Sequence, residues 1–290
     1  MKLVVIIPTA GRKAQVNRLL AHIELQHRLP DEVIVSASDI THVEPYHPGN
    51  LAVSYVFGKS GLSAQRNQAL DYALPRSDII TFFDDDFLPA DNYLKLVEAA
   101  FEEHLDLAVI TGDVVEDGVR TTGLTFEQGL VALRAAEASC PTETRIEDHV
   151  GAYGCNMSMR SGVIGNLRFD ERLVLYGWQE DVDFTSQLRR HGRVVGINTI
   201  IGVHLGIKAG RLSGVRFGYS QIVNPVYLIR KGTMPPKFAL DLMSRNIVAN
   251  LVRSIWPEPW IDRRGRLRGN LIAAYHLMMG RIEPEYILKI

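Results

Sequence analysis

The chain has 290 residues, 46% of them hydrophobic, which is enough for one large α/β domain with an appendage and excludes a disordered or fibrous protein. Two cysteines, Cys140 and Cys155, are too few for a disulfide framework and form no Cys-x-x-Cys metal pair, which favours a reducing compartment. The net charge of −1 conceals a division: residues 206–290 carry 14 Lys and Arg against 5 Asp and Glu, whereas residues 1–205 carry 18 against 28. In chain order, the first apolar run, 3–7, reaches Pro8 too soon for a signal-peptide core or a membrane span, and no transmembrane helix is expected. β-branched runs then alternate with helical patterns. Strands are expected at 3–7, 32–36, 52–57, 78–83, 107–114, 153–159 and 193–201, with helices at 13–25, 63–74, 90–104, 125–138 and 179–191. This alternation predicts an α/β fold with a mostly parallel sheet and helices on both faces.

Ligands of open α/β sheets sit beyond the carboxyl ends of the strands, where Thr9, Asp39, Asp84 and His204 fall. After Leu205 the strands stop. Residues 206–218 read as a mobile Gly/basic loop, followed by helical pieces at 222–229, 238–255 and 267–279, broken at Pro225, Pro235-Pro236, Pro257 and Pro259. The division expected is a catalytic domain over 1–205, its acceptor half starting near 110, and a basic helical region over 206–290. Excess positive charge there points to an anionic partner, either a phosphate-bearing substrate or an anionic membrane surface, unless these are simply solvated helix faces. Helices that pack back on the body are the other reading of their mixed apolar and basic faces.

Two patterns carry chemistry. The strand ending in Phe83 runs into Asp84, Asp85 and Asp86, three adjacent carboxylates that repel unless a cation sits among them. Mn²⁺ or Mg²⁺ is the natural neutraliser and would bridge a substrate diphosphate; a solvated acidic loop, with Asp91 capping the next helix, is the alternative. Gly177-Trp178 then leads into Glu180, Asp181 and Asp183 at a helix start. The helix dipole alone would favour acids there, yet a carboxylate beside the crevice is also the group that takes a proton from an attacking hydroxyl. The helix N-terminus is expected to keep Asp181 ionised near neutral pH.

Together with Pro8-Thr9, the run from Gly61 to Asn67, Gly154 to Arg160, Phe169 to Arg172 and a later His204, these motifs resemble the family 2 inverting glycosyltransferases of the GT-A fold, in order and spacing over residues 1 to about 205. The resemblance implies transfer of a sugar from a UDP-, dTDP- or GDP-linked donor to a saccharide or lipid-linked saccharide, in cell-surface polysaccharide or glycolipid synthesis. It implies a cytoplasmic enzyme, peripheral on the inner membrane face, with no nucleic-acid partner. Asp84 and Asp86 match the ends of the Asp-x-Asp motif, His204 a histidine that completes the metal site, and Asp181 the general base beside Glu180. Pro8, Thr9, Arg12, Asp85 and Arg66 are expected at the donor, although Gln65 replaces the usual alanine before Arg66, and a surface cation is the duller role for that arginine. Relatives hold the base with an acidic pair after the second strand; here only Asp39 stands near, from a shifted position. Trp178 could stack on an acceptor sugar or be a core residue. Lys208 and Arg211 could close over the diphosphate, or belong to a disordered basic loop. The competing classes are a sugar-phosphate nucleotidyltransferase, against which the missing Gly-rich activating loop argues, and a non-catalytic sugar-nucleotide or polysaccharide-binding module, against which the intact acidic residues argue.

Overall fold

The computed structural model describes residues 1–46, 49–141, 143–208 and 213–290, with Arg120 described by its backbone alone, and its core forms around β1 (Leu3–Pro8). β1 has a strand on each edge and helices on each face, so its apolar run is buried throughout. Its side chains alternate between two layers. Leu3, Val5 and Ile7 share one layer with Val16, Leu19, Leu20 and Ile23 of α1 (Lys13–Ile23), whose spacing is that of a single helical stripe. Val4 and Ile6 share the other with Ala69, Leu70 and Ala73 of α2 (Leu62–Ala73).

β2 (Glu32–Ala37), β3 (Val53–Phe57) and β4 (Ile79–Phe83) continue the parallel part of the sheet. β8 (Asn156–Arg160) runs antiparallel between β4 and β6 (Leu107–Asp117), and β6 pairs in parallel with β9 (Arg193–His204). Among the described residues nine strands make one sheet, in the order β3-β2-β1-β4-β8-β6-β9-β5, with β7 (Ile146–Asp148) also on β9. α3 (Tyr93–Glu103) and α4 (Phe126–Ala138) cover the α1 layer, and α5 (Glu180–Leu188) covers the α2 layer. Because direction reverses twice between β4 and β6, strands β1, β4, β6 and β9 all point the same way. Their carboxyl ends gather Thr9, Asp84, Asp117 and His204 at one edge.

Two strands escape the sequence pattern. β5 (Phe87–Pro89) and β7 have three residues each, too short to display an alternation. β6 and β9 also run further than expected, to Asp117 and His204, because each finds a partner in the other despite three register shifts that break the alternation. His204 is therefore the last residue of a strand.

Three helices follow: α6 (Gly214–Lys231), α7 (Pro236–Arg253) and α8 (Arg263–Met278). α6 begins inside the segment read as a loop. Pro225 does not break it, contrary to expectation, since buried neighbours from Gly218 to Leu228 hold the helix against the local cost of the proline. α6 and α8 cross at glycines: a Cβ on Gly218 would lie 2.1 Å from the Arg266 carbonyl oxygen, and one on Gly269 2.1 Å from that of Val215. The bundle packs on the sheet body through Leu228, Met234 and Ala239 against Leu173 and Val182. Lys231 Nζ adds contacts of 2.7 Å to both Asp170 and Asp183. No helix among the described residues is long and apolar enough to cross a membrane.

Candidate active site

Two strands shape the acidic turn. β4 ends at Phe83, and the Phe87 N–H donating to the Asp84 carbonyl at 3.0 Å returns the chain into β5. β5 pairs antiparallel with β9 in the register Phe87 opposite His204, which sets Asp86 beside the imidazole. His204 Nε2 lies 3.3 Å from Asp86 Oδ1, and its Nδ1 lies 3.1 Å from Asp117 Oδ1. Tyr153 Oη donates to the other Asp117 oxygen at 3.1 Å. Burial alone would lower the His204 pKa, but hydrogen bonds and charge from Asp117 and Asp86 push it up to about 10. Burial also works against ionised Asp86, yet His204 and Arg12 hold that carboxyl below its usual range.

Asp85 accepts from Thr9 Oγ1 at 2.7 Å and lies 2.9 Å from Arg12 Nη2; burial pushes its pKa up. Asp84 is held by Arg66, whose Nη2 is 3.0 Å away. Arg66 is fully buried between the Phe82 and Phe169 rings, at 5.7 and 5.5 Å, so it is not the surface cation that its helical position allowed. It also pairs with Glu180 and donates to the Gly154 carbonyl at 2.8 Å. The polar residues of the Gly61 to Asn67 run therefore serve the interior: Gln65 donates to the Thr9 carbonyl at 2.6 Å, and Asn67 to that of Phe169 at 2.9 Å.

Asp181 stands half-buried at the first turn of α5. Its Oδ2 accepts the Gly154 N–H at 2.7 Å, and its Oδ1 accepts that of Val182 at 2.8 Å. The approach is close enough that a Cβ on Gly154 would lie 2.9 Å from Asp181 Oδ2 and 3.2 Å from its Cβ. Burial raises the Asp181 pKa, outweighing the opposing Val182 N–H, Arg66 and the Gly154 N–H. The helix N-terminus is thus the lesser influence. Glu180 is buried behind it and pushed up to about 8 by desolvation, which Arg66 only partly offsets. Asp183 faces away, bound to Lys231 and Thr233.

Part of this network borders a cleft of about 750 Å³. Asp84, Asp85 and Asp86 line it together with Thr9, Arg12 and His204; Tyr176 and Trp178 line it from the loop before α5, and Phe217, Asn246 and Arg266 from the C-terminal helices. Ligand atoms of Asp84, Asp86 and His204 all lie within 4.8 Å of one another. Two carboxylate oxygens and an imidazole nitrogen fit Mn²⁺ or Mg²⁺. Asp117 engages Nδ1, which leaves Nε2 as the nitrogen turned to the carboxylates.

The family model for glycosyl transferase family 2 matches residues 4–162, more than half of the sequence. The chain belongs to glycosyl transferase family 2. No curated protein matches it. Solved structures are similar in fold: S. aureus TarS 1–349 in complex with UDP-GlcNAc gives a TM-score of 0.56 at 17% identity, over 92% of this chain and 78% of that one. The mannosyltransferase PcManGT from Pyrobaculum calidifontis, in complex with GDP-Man and Mn²⁺, gives 0.53 at 18% identity, over 99% and 78%. Glucosyl-3-phosphoglycerate synthase from Mycobacterium tuberculosis, with Mn²⁺, UDP and glucosyl-3-phosphoglycerate, gives 0.50 at 19% identity, over 81% of each chain. Against a longer S. aureus TarS structure the chain spans 40% of the other's length. The fold is GT-A, with C-terminal helices.

In this glycosyltransferase the remaining expected residues divide. Trp178 is half-buried at the cleft wall, edge-on to Phe217 at 5.8 Å. Asp39 does not line the cleft; it caps the short turn Ile40–His42 by accepting the Thr41 N–H at 2.8 Å. Asp181 and Glu180 are not among the residues lining the cleft; Arg66 joins Glu180 to Asp84, and Asp181 meets the same arginine through the Gly154 backbone. Lys208 Nζ donates to the carbonyls of Gly118 and Val119, both at 2.9 Å. Arg211 lies outside the described residues. Sequence reasoning missed Asp117, Tyr153 and the cleft wall supplied by α6, α7 and α8. An acidic residue three positions past the expected end of the 107–114 strand was the one available signal for Asp117.

Proposed function

We propose that this chain moves a sugar from a nucleotide-diphospho-sugar to an acceptor hydroxyl in a single inverting displacement, in the synthesis of a cell-surface polysaccharide or glycolipid. The observation that carries this reading is the meeting of Asp84, Asp86 and His204 in a cleft of about 750 Å³, a size suited to a nucleotide-sugar. Those three residues would hold Mn²⁺ or Mg²⁺, which when bound supplies Lewis-acid neutralisation of the leaving diphosphate. Thr9 and Arg12 fix Asp85 and with it the mouth of the donor site. UDP-GlcNAc, UDP and GDP-Man in the structurally similar proteins favour a nucleoside diphosphate at that end.

Asp181 is the proposed general base. Burial raises its pKa, the direction that makes a carboxylate a stronger base toward a hydroxyl proton. Arg66 and the Gly154 backbone fix its orientation relative to Asp84. One displacement requires no carboxylate nucleophile, so the anomeric centre inverts. Trp178 offers an aromatic face for an acceptor sugar. The test sets Asp181→Asn beside Glu180→Gln and measures sugar transfer and donor binding. Transfer by the Asn variant should fall roughly 10²–10⁴-fold with donor binding little changed. Near wild-type transfer by Asp181→Asn would show that the base lies elsewhere. Binding itself is read by thermal shift with UDP, dTDP and GDP, with and without Mn²⁺, and no shift with any of them would remove the nucleotide-sugar reading.

A further inference from the structure

We propose that the outer face of α7 and α8 docks on a lipid bilayer bearing anionic headgroups, and does so by inserting apolar side chains and not by charge alone. Leu240, Val248, Leu251, Val252 and Ile255 are exposed at helical spacing along and just beyond α7, and Trp256 after it is 79% exposed. On α8, Leu271, Tyr275 and Met278 form a second exposed stripe at i, i+4 and i+7. The two helices pack on each other, and the turn between them carries Trp256 and the partly exposed Trp260. Scattered exposed hydrophobics need no partner, but stripes on adjacent helices joined by two tryptophans do.

Charge decides what that partner is. Arg264 and Arg268 are exposed two turns and one turn before Leu271 on α8, and Lys237 and Arg245 are exposed on α7. Asp241 of α7 is paired with Arg245, and Glu258 with Arg253 and Arg263. Anionic headgroups complement such a face. A second copy related by a two-fold axis would bring the same cationic surface against itself. Exposed indoles favour the headgroup level, and since neither helix can span a bilayer the mode is interfacial. The other faces of both helices line the cleft through Asn246 and Ala249, and Arg263 and Arg266, while the turn itself supplies Glu258 and Ile261. Docking would therefore bring the cleft rim to the headgroup layer, within reach of an acceptor carried on a lipid.

The test needs no sugar donor, so its result is independent of the reaction proposed above. The full chain is mixed with phosphatidylcholine vesicles with and without phosphatidylglycerol, and sedimentation and tryptophan emission are followed. Expected are co-sedimentation with the anionic vesicles, a blue shift, quenching by brominated acyl chains, and binding that persists in part at high salt. Ile255→Ser/Trp256→Ser and, separately, Leu271→Ser/Met278→Ser should lower partitioning about tenfold or more with circular dichroism unchanged. Arg268→Glu should weaken binding to anionic vesicles alone. Three results overturn the proposal: no vesicle binding, binding that salt abolishes and the serine variants leave intact, or self-association without vesicle binding that those variants abolish. The last would assign the face to a second copy.

Discussion

Arg66→Met is the most searching perturbation of the site, because it removes a cation from full burial while keeping most of the side-chain volume. Arg66 holds Asp84 at 3.0 Å, pairs with Glu180 and donates to the Gly154 carbonyl at 2.8 Å. Removing one member of a buried ion pair costs about 3–5 kcal/mol. With an unfolding entropy of about 2.1 cal/mol/K per residue, a 290-residue chain loses about 5–8 °C in Tm for that cost. The loss also carries a pH signature. Glu180 is raised from 4.5 to about 8, so its proton binds better in the folded state. The stability it contributes is complete below its unfolded value and is lost as pH rises through about 8. Without Arg66 the folded value rises further, and the gap between variant and wild type should widen from about pH 6 to about pH 9. Adding Glu180→Gln leaves no charge to strand there. The double variant should then lose only about 1–3 kcal/mol, with the widening gone, because mainly Asp84 and a carbonyl remain without their partner. Urea denaturation of the four proteins at the two pH values measures this. A cost below about 1 kcal/mol for Arg66→Met, or a double variant as unstable as the sum of the singles, would refute the buried relay.

Three further outcomes follow from the same geometry. Asp86→Ala should abolish metal-dependent donor binding and transfer while circular dichroism stays near wild type; full transfer in excess chelator would remove the metal site. Asp117→Asn keeps the shape but removes the charge that orients His204, so Mn²⁺ affinity by calorimetry should fall roughly 10–100-fold, and an unchanged affinity would separate His204 from the metal. Gly154→Ala drives a Cβ to 2.9 Å from Asp181 Oδ2 and should cost about 1–3 kcal/mol in denaturant, with transfer falling more than donor binding. Equal losses in both would place Gly154 in the fold only.

What the sequence disclosed and what it hid divide along the range of the interactions. Asp84 to Asp86 were legible because a buried β-branched strand stops dead on three like charges, a conflict that local composition displays. Arg66 was legible as a motif member but not as a buried group, since α2 has no pronounced apolar stripe from which burial could be read and the rings that enclose Arg66 come from β4 and from Phe169, outside any regular element. The partnership of His204 with Asp86 depends on β5, three residues long, and that with Asp117 on a strand pair whose register slips three times. Neither leaves a periodic trace. The C-terminal helices were visible as helices, yet helical periodicity does not say which surface an apolar stripe will meet. Here one set of faces completes the cleft and the other stays uncovered, so the basic excess read from residues 206–290 belongs to two surfaces at once: Arg263 and Arg266 at the cleft, Arg264 and Arg268 outside. Neighbouring positions on one helix take these opposite duties because successive residues turn about 100° apart. Charge counted along the chain merges the two, and separating the cations that meet a substrate from those that meet a surface therefore requires the fold.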